Sequence, residues 1–426
     1  MTATTSTQAS SSSRTASTAS AVITGIGVVA PNGFGVQDYW KSVLAGRGAI
    51  GPITSFDTAS YPVVLGGEIL DFDPKAHIPS RLLPQTDRVT RLSLVAAVEA
   101  LADAGMAEPE LPEFSAGVVT ASSAGGFEFG QRELQALWGS GSKYVSAYQS
   151  FAWFYAVNSG QISIKHDLRG PSGVLVSDDA GGLDAIAQAR RQVRKGSGLL
   201  ITGSVDGSLC PWGWVAQMAS DRLSASDKPE AAYLPFDQRV NGQVLGEGGA
   251  LLVMENAEVA AARGARAYGE IAGYAATFDP RPGSGGEPGL LRAAQMALHD
   301  AGLEPSQIGA VFADASGVAD RDQDEVRALV SLFGARGVPV TAPKTMTGRL
   351  ASGGGPLDVA TALLSMRHEC IPPTVNISSP RWPDELDLVR DTPRPAPGLA
   401  AVLVLARGYG GFNSAIVVRR CDDQEG

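Results

Sequence analysis

Apolar and polar positions are most clearly ordered between residues 173 and 204. GVLVS (173–177) reads as a buried strand. The next segment, AGGLDAIAQARRQVRK (180–195), places Leu183, Ile186, Ala187 and Val193 on one helical face. Gly196 ends that helix, and GLLITGS (198–204) reads as a second buried strand. Strand, helix and strand in this order predict a right-handed crossover in a largely parallel sheet. A further apolar run, Ala21 to Ala30, stops at Pro31-Asn32-Gly33. Two distant stretches, VAAVEALADAGM (95–106) and RAAQMALHDAGL (292–303), agree at seven of twelve positions. Each is helix-like with a glycine stop, and each precedes an apolar strand: AGVVTAS (116–122) and GAVFADAS (309–316). A helix–strand unit repeated about two hundred residues apart predicts a duplicated α/β fold. Its halves are expected over residues 21–262 and 263–420.

Composition narrows the function class. With 34 Lys and Arg against 44 Asp and Glu the formal charge is −10, which argues against nucleic acid as a partner. Arg190, Arg191, Arg194 and Lys195 cluster at a helix end, where cations suit the macrodipole; a docking patch for an acidic partner is the other reading. The three cysteines, Cys210, Cys370 and Cys421, show no paired spacing, so a reducing cytoplasm is expected. No histidine pair has metal-ligand spacing, and neither metal nor cofactor is expected. Residues 1–20 are nearly all Ser, Thr and Ala and read as a disordered tail, with a second short tail at 421–426. No apolar run approaches the roughly 20 residues of a membrane span, so no membrane partner is expected.

Candidate chemistry concentrates at SDDAGGLDA (177–185), an elbow where a strand turns into a helix. In α/β folds this is a place for a nucleophile, yet carboxylates occupy it. Asp178 or Asp179 also suits a helix N-cap, a contribution of about 1 kcal/mol. Gly25 and Gly27 lack the third glycine and downstream acid of a dinucleotide motif. Gly353-Gly354-Gly355 lacks the Lys-Ser/Thr of a phosphate loop, which leaves close backbone packing.

GPSGVLVSDDAGGLD, PFDQRVNGQVLGEGGALLVME, APKTMTGRLASGGG and RGYGGFNSA fall in the order and spacing of the β-ketoacyl synthases, so the chain resembles that family from residue 21 to 420. The resemblance implies a thiolase-like fold of duplicated αβαβα architecture. It also implies a Cys at the elbow that carries the acyl chain and two His that stabilise the enolate from a decarboxylating malonyl thioester. Here Asp179 stands at the Cys position. Placing Asp322 and Glu325 on the family's acidic pair puts Asp314 at the first His. Arg349 stands at the second His, and Lys344 is retained. Segments 125–138 and 144–164 are similar to one subfamily, the chain length factors (ketosynthase β subunits) of bacterial type II aromatic polyketide synthases. That resemblance implies a non-condensing subunit paired with a catalytic ketosynthase α chain and fed by an acyl carrier protein bearing malonyl and polyketide chains.

In that subfamily Gln is common at the elbow, so the charge on Asp179 is a departure. The tunnel-wall positions map to Phe127, Gly130 and Leu134, whose spacing puts them on one helical face. Gly130 in mid-helix costs about 1 kcal/mol against Ala and suggests room for a ligand. Glu247 is expected to be a buried acid holding its loop, and Gly408 to Phe412, including Gly410 and Gly411, to form a turn beside the degenerate site. Two other functions stay open: a malonyl-thioester decarboxylase acting through Asp179, and a structural partner without any tunnel.

Overall fold

The computed structural model describes residues 20–106, 112–281 and 283–421. The expected tails therefore lie outside the described residues, apart from Ser20 and Cys421. Five strands build the first half: β1 (Ala21–Ala30), β2 (Ala116–Ala121), β3 (Ser172–Leu175), β4 (Leu199–Asp206) and β5 (Gly248–Asn256). Five more form the core of the second: β6 (Gly269–Phe278), β7 (Ala310–Phe312), β8 (Pro339–Thr341), β9 (Ala401–Arg407) and β10 (Phe412–Arg419), with the two-residue strand Asp387–Leu388 parallel to β8 at its edge. The first half has spatial order β3-β2-β4-β5-β1, with β2 parallel to both neighbours and β5 antiparallel to both of its own. The second repeats this as β8-β7-β9-β10-β6, with the same strand senses. Two antiparallel pairs, Val22 with Glu270 and Ile23 with Gly269, join the halves at β1 and β6.

The helices of eight or more residues are α1 (Val36–Leu44), α2 (Arg88–Asp103), α3 (Phe127–Ser140), α4 (Val157–Lys165), α5 (Gly181–Arg194), α6 (Pro211–Met218), α7 (Gly289–Ala301), α8 (Ala319–Phe333) and α9 (Gly354–His368). Strand alternation shows how they layer. Ala250, Leu252 and Met254 of β5 join a core with Leu183 and Ile186 of α5, Val359 and Leu363 of α9, and Val402 and Val404 of β9. Their alternates Leu251 and Val253 face Ala96, Ala97 and Leu101 of α2. Leu403 and Leu405 face Leu290, Ala293 and Ala297 of α7. Thus α5 and α9 lie between the two sheets and α2 and α7 cover their outer faces, a five-layered αβαβα arrangement. α9 is buried without interruption from Gly355 to Met366, as a helix apolar on all sides must be.

The repeated stretches explain this layering. On β1, a Cβ at Gly27 would stand 1.9 Å from the Ala96 carbonyl oxygen of α2. On β6, one at Gly273 would stand 2.1 Å from that of Ala297 of α7. Glycine on the strand and alanine on the helix let the two backbones touch, which is why the glycine pair Gly25/Gly27 serves packing. The shared aspartates then cross the gap: Asp103 accepts from the Ile26 N–H at 2.8 Å and Asp300 from the Tyr274 N–H at 2.9 Å. In the middle layer a Cβ on Gly182 would meet the Ser352 oxygen at 2.1 Å, and one on Gly353 the Gly248 oxygen at 2.1 Å.

Three expectations need correction. GVLVS forms a short edge strand, half-buried over Gly173–Leu175 with Val176 exposed, because β3 has a neighbour on one side only among the described residues. The strand at 309–316 is confined to Ala310–Phe312, since the chain then bends through Ala315 at φ 49°. Arg190 is not on a solvated helix end. It is buried, donates to the Ala272 carbonyl, and pairs with Asp300 at 2.5 Å, tying α5 to β6 and α7.

Gly27→Ala should lower stability by about 1–3 kcal/mol, because backbone faces the new methyl on both elements. A wild-type midpoint in thermal or urea unfolding would refute the close-packing account.

Candidate functional site

The elbow is built twice. Before α5, a turn over Asp178–Ala180 begins with Asp178 at φ 53°; before α9, a turn over Ala351–Gly353 begins with Ala351 at φ 50°. Such left-handed residues are costly and cluster at functional sites. Neither aspartate of the first elbow caps a helix as the sequence suggested. The cap position of α5 is Ala180, with no side-chain hydrogen bond. The Asp178 carboxylate instead accepts the Tyr409 N–H at 2.5 Å, which pins the β9–β10 hairpin to the elbow. Burial and the adjacent Asp179 push its pKa up to about 6.

Asp179, Asp314 and Arg349 come together in one cluster. Arg349 donates to Asp179 from Nε at 2.8 Å, with Nη2 at 2.5 Å from the same oxygen. The same Nη2 reaches Asp314 Oδ1 at 2.9 Å, and Nη1 the Asp314 carbonyl at 2.9 Å. A second cation stands behind. Arg407, the last residue of β9, donates from its backbone N–H to Asp314 Oδ1 at 2.9 Å and from Nε to Oδ2 at 3.1 Å. Its Nη2 donates to Glu325 at 3.2 Å. Asp314, Glu325 and Arg407 are at most 4% exposed. Burial alone would raise the Asp314 pKa, but Arg349 and Arg407 outweigh it and hold the carboxyl well below the usual range.

The remaining acids shape the loop. Glu325 accepts the N–H groups of Asp314 and Ala315 at 2.7 and 2.9 Å. Asp322 accepts those of Phe236 and Gly317 at 3.0 Å each, and burial pushes its pKa up to about 7. Lys344 pairs with Asp358 at 2.7 Å and donates to the Ala313 and Asp314 carbonyls at 2.7 and 3.2 Å. The space left between Asp179, Asp314, Lys344 and Arg349 is about 20 Å³, room for a single water. A larger cavity of about 300 Å³ opens beside it, lined by Phe127, Asp179, Arg349 and Tyr409 among others.

The other sequence candidates fall around this cluster. Glu247 is buried and accepts from Ile69 N–H at 2.9 Å and from Arg88 Nε and Nη2 at 2.7 Å, so it anchors the start of α2. Gly408 to Phe412 form the hairpin turn, with Gly410 and Gly411 at φ 84° and 106° and Gly408 N–H donating to the Phe412 carbonyl at 2.9 Å. A Cβ on Gly408 would stand 3.0 Å from that of Asp178. Phe127, Gly130 and Leu134 share one side of α3, whose start is held by Asp87. That buried carboxylate accepts Val89 N–H at 3.0 Å and Phe129 N–H at 2.7 Å. Trp212 stacks flat on Phe127 with ring centroids 4.6 Å apart. Its Cζ3 would lie 3.2 Å from a Cβ on Gly130, and Trp153 Cβ 3.6 Å away. The room expected at Gly130 is therefore filled by the indole of Trp212 and the Cβ of Trp153. Sequence reasoning missed Arg407 and Trp212. The first opens the quoted RGYGGF motif; the second belongs to no motif.

Comparison with known proteins now fits this geometry. Residues 19–260 match the model of the β-ketoacyl synthase N-terminal domain and residues 268–378 that of the C-terminal domain, and the chain belongs to this family. Within it, the chain is 56% identical over 401 residues to the tetracenomycin polyketide synthase ketoacyl synthase β subunit of Streptomyces glaucescens, covering 94% of this chain and 98% of that one. It is equally identical over 403 residues to the actinorhodin polyketide β-ketoacyl synthase 2 of Streptomyces coelicolor, with the same coverage. Among solved structures, the ishigamide ketosynthase/chain length factor superposes with a TM-score of 0.85 at 26% identity, over 95% of this chain and all of that one. A β-ketoacyl synthase from Burkholderia phymatum gives 0.85 at 28%, with the same coverage. Among the described residues no helix is long and apolar enough to cross a membrane, and no group of acids, His and Cys could hold a metal.

Asp314→Asn would leave two buried guanidiniums facing a neutral amide and should cost about 3–5 kcal/mol. Because the folded pKa of Asp314 is lowered, its contribution is present above the unfolded value and is lost as pH falls toward the folded one. The stability gap between wild type and variant should thus stay constant from about pH 8 to 5; a gap that closes over this range in unfolding curves would contradict the assignment.

Proposed function

We propose that this chain is a non-condensing chain length factor. It completes a heterodimer with a catalytic ketosynthase α subunit and limits the length of the poly-β-ketone made from malonyl units on an acyl carrier protein. The observation that carries this reading is the closure of Arg349 onto Asp179 and Asp314. A carboxylate held in an ion pair does not carry an acyl chain as a thioester. A guanidinium stays protonated, so it cannot play the part of a neutral imidazole. The pocket enclosed by Asp179, Asp314, Lys344 and Arg349 has room for a single water. The relatives, a polyketide synthase ketoacyl synthase β subunit and a ketosynthase/chain length factor, support the same reading.

An exposed apolar surface supports a partner. Trp138 is 83% exposed, and Tyr144, Trp153 and Phe154 lie on or after α3 with their rings open to solvent. The edge strand β3 is half-covered. Surfaces of this kind mark interaction sites. The two halves, 21–262 and 263–420, act as one unit across the Arg349 bridge, in the cytoplasm, and the function requires no metal or cofactor. Phe127, Gly130 and Leu134 form the tunnel wall in this proposal, with Trp212 lying over the middle position.

Three experiments test it. Full chain and ketosynthase α, supplied with malonyl-acyl carrier protein, should make polyketide only together. Gly130→Thr with Leu134→Phe, which pushes Trp212 toward the cavity, should shift the products to shorter chains by mass spectrometry; unchanged lengths would count against a wall at α3. Asp179→Asn should alter malonyl-acyl carrier protein decarboxylation by the pair less than about twofold. A loss of tenfold or more would favour the decarboxylase reading.

A further inference from the structure

The cavity of about 300 Å³ beside the closed cluster contains charge that the cluster does not use. Four guanidiniums line it. Arg349 and Arg407 are bound to carboxylates, but Arg321 of α8 and Arg222 after α6 have no ion-pair partner among the described residues. The one hydrogen bond of Arg321 goes to the Gly408 carbonyl at 3.1 Å. Burial and the nearby Arg407, with Arg349 and Arg222 adding to the repulsion, push its pKa down to about 10. Arg222 lies over the Tyr409 ring, 4.5 Å from its centroid.

Carboxylates oppose these cations in part. Asp179 is engaged by Arg349, and Asp178 accepts the Tyr409 N–H. Two guanidiniums without carboxylates therefore face one carboxylate without a cation. Arg321 is drawn toward Asp314 without pairing with it, and the repulsion from Arg407, Arg349 and Arg222 leaves it short of a matching anion.

We propose that this cavity is an anion site, in which Arg222 and Arg321 receive a small carboxylate or phosphate. Guanidiniums recognise both oxyanions through the same paired N–H donors. A cavity of this size suits a small ligand. The cavity shares Phe127, Asp179 and Arg349 with the site of the chain-length proposal, but the anion binding inferred here needs only Arg222 and Arg321 and holds whether or not that proposal does.

The test uses the full chain, held with its ketosynthase partner where needed for solubility, at constant ionic strength set with chloride. Inorganic phosphate and malonate are titrated separately, with binding read by calorimetry and by thermal shift. Saturable binding of phosphate alone assigns a phosphate source, of malonate alone a carboxylate source, and of both a general oxyanion site. Arg222→Gln with Arg321→Gln should weaken binding by roughly tenfold or more. Asp178→Asn, which removes the opposing carboxylate and tolerates a positive φ, should tighten it. Binding no stronger than that of chloride would overturn the proposal, as would affinities unchanged in both variants. The melting curve of each variant without anion separates loss of the site from loss of the fold.

Discussion

A single guanidinium, that of Arg349, is shared between carboxylates that belong to different halves of the molecule. Asp179 lies in the first elbow, Asp314 follows β7, and Arg349 itself precedes the second elbow. Burying a cation is tolerable only when its charge and donors are matched, and here the matching groups come from both halves. Asp314 passes the constraint on, since it also receives the backbone N–H and side chain of Arg407. The loop after β7, the end of β9 and the hairpin beyond it are thereby fixed relative to the first elbow. In a condensing relative this space would have to admit a thioester. In this chain it is filled by charges that satisfy one another.

The duplication gives the cluster its frame. Both halves use glycine on the first strand, alanine on the covering helix and an aspartate reaching back to the strand. Both turn into a buried helix through a left-handed residue. The two buried helices touch where Gly182 meets Ser352 and Pro356, so the elbows lie close together. That proximity lets a residue before α9 reach one before α5.

Much of the frame was legible in the sequence. The repeat at 95–106 and 292–303 exposed the duplication because packing fixes the same residue types in both copies. The elbow at 178–180 was legible in the sequence, and motif order singled out residues 179, 314 and 349 as a set. Their mutual bonding was not: residues 179, 314 and 349 are far apart in the chain, and local spacing carries no record of their meeting. Arg190 looked like a surface cation because its partners Asp300 and the Ala272 carbonyl come from the other half. GVLVS looked like an interior strand because an apolar run does not reveal whether one side of it or both are paired. At Gly130, a missing side chain signalled space, but Trp212, eighty-two residues on, occupies it.

The shared guanidinium also bears on how such a chain can change over generations. A neutral side chain at position 179 alone would leave Arg349 half-neutralised. A neutral side chain at 349 alone would leave Asp179 and Asp314 with one fewer cation between them. Each single change exposes an unmatched buried charge, so these positions can vary only together.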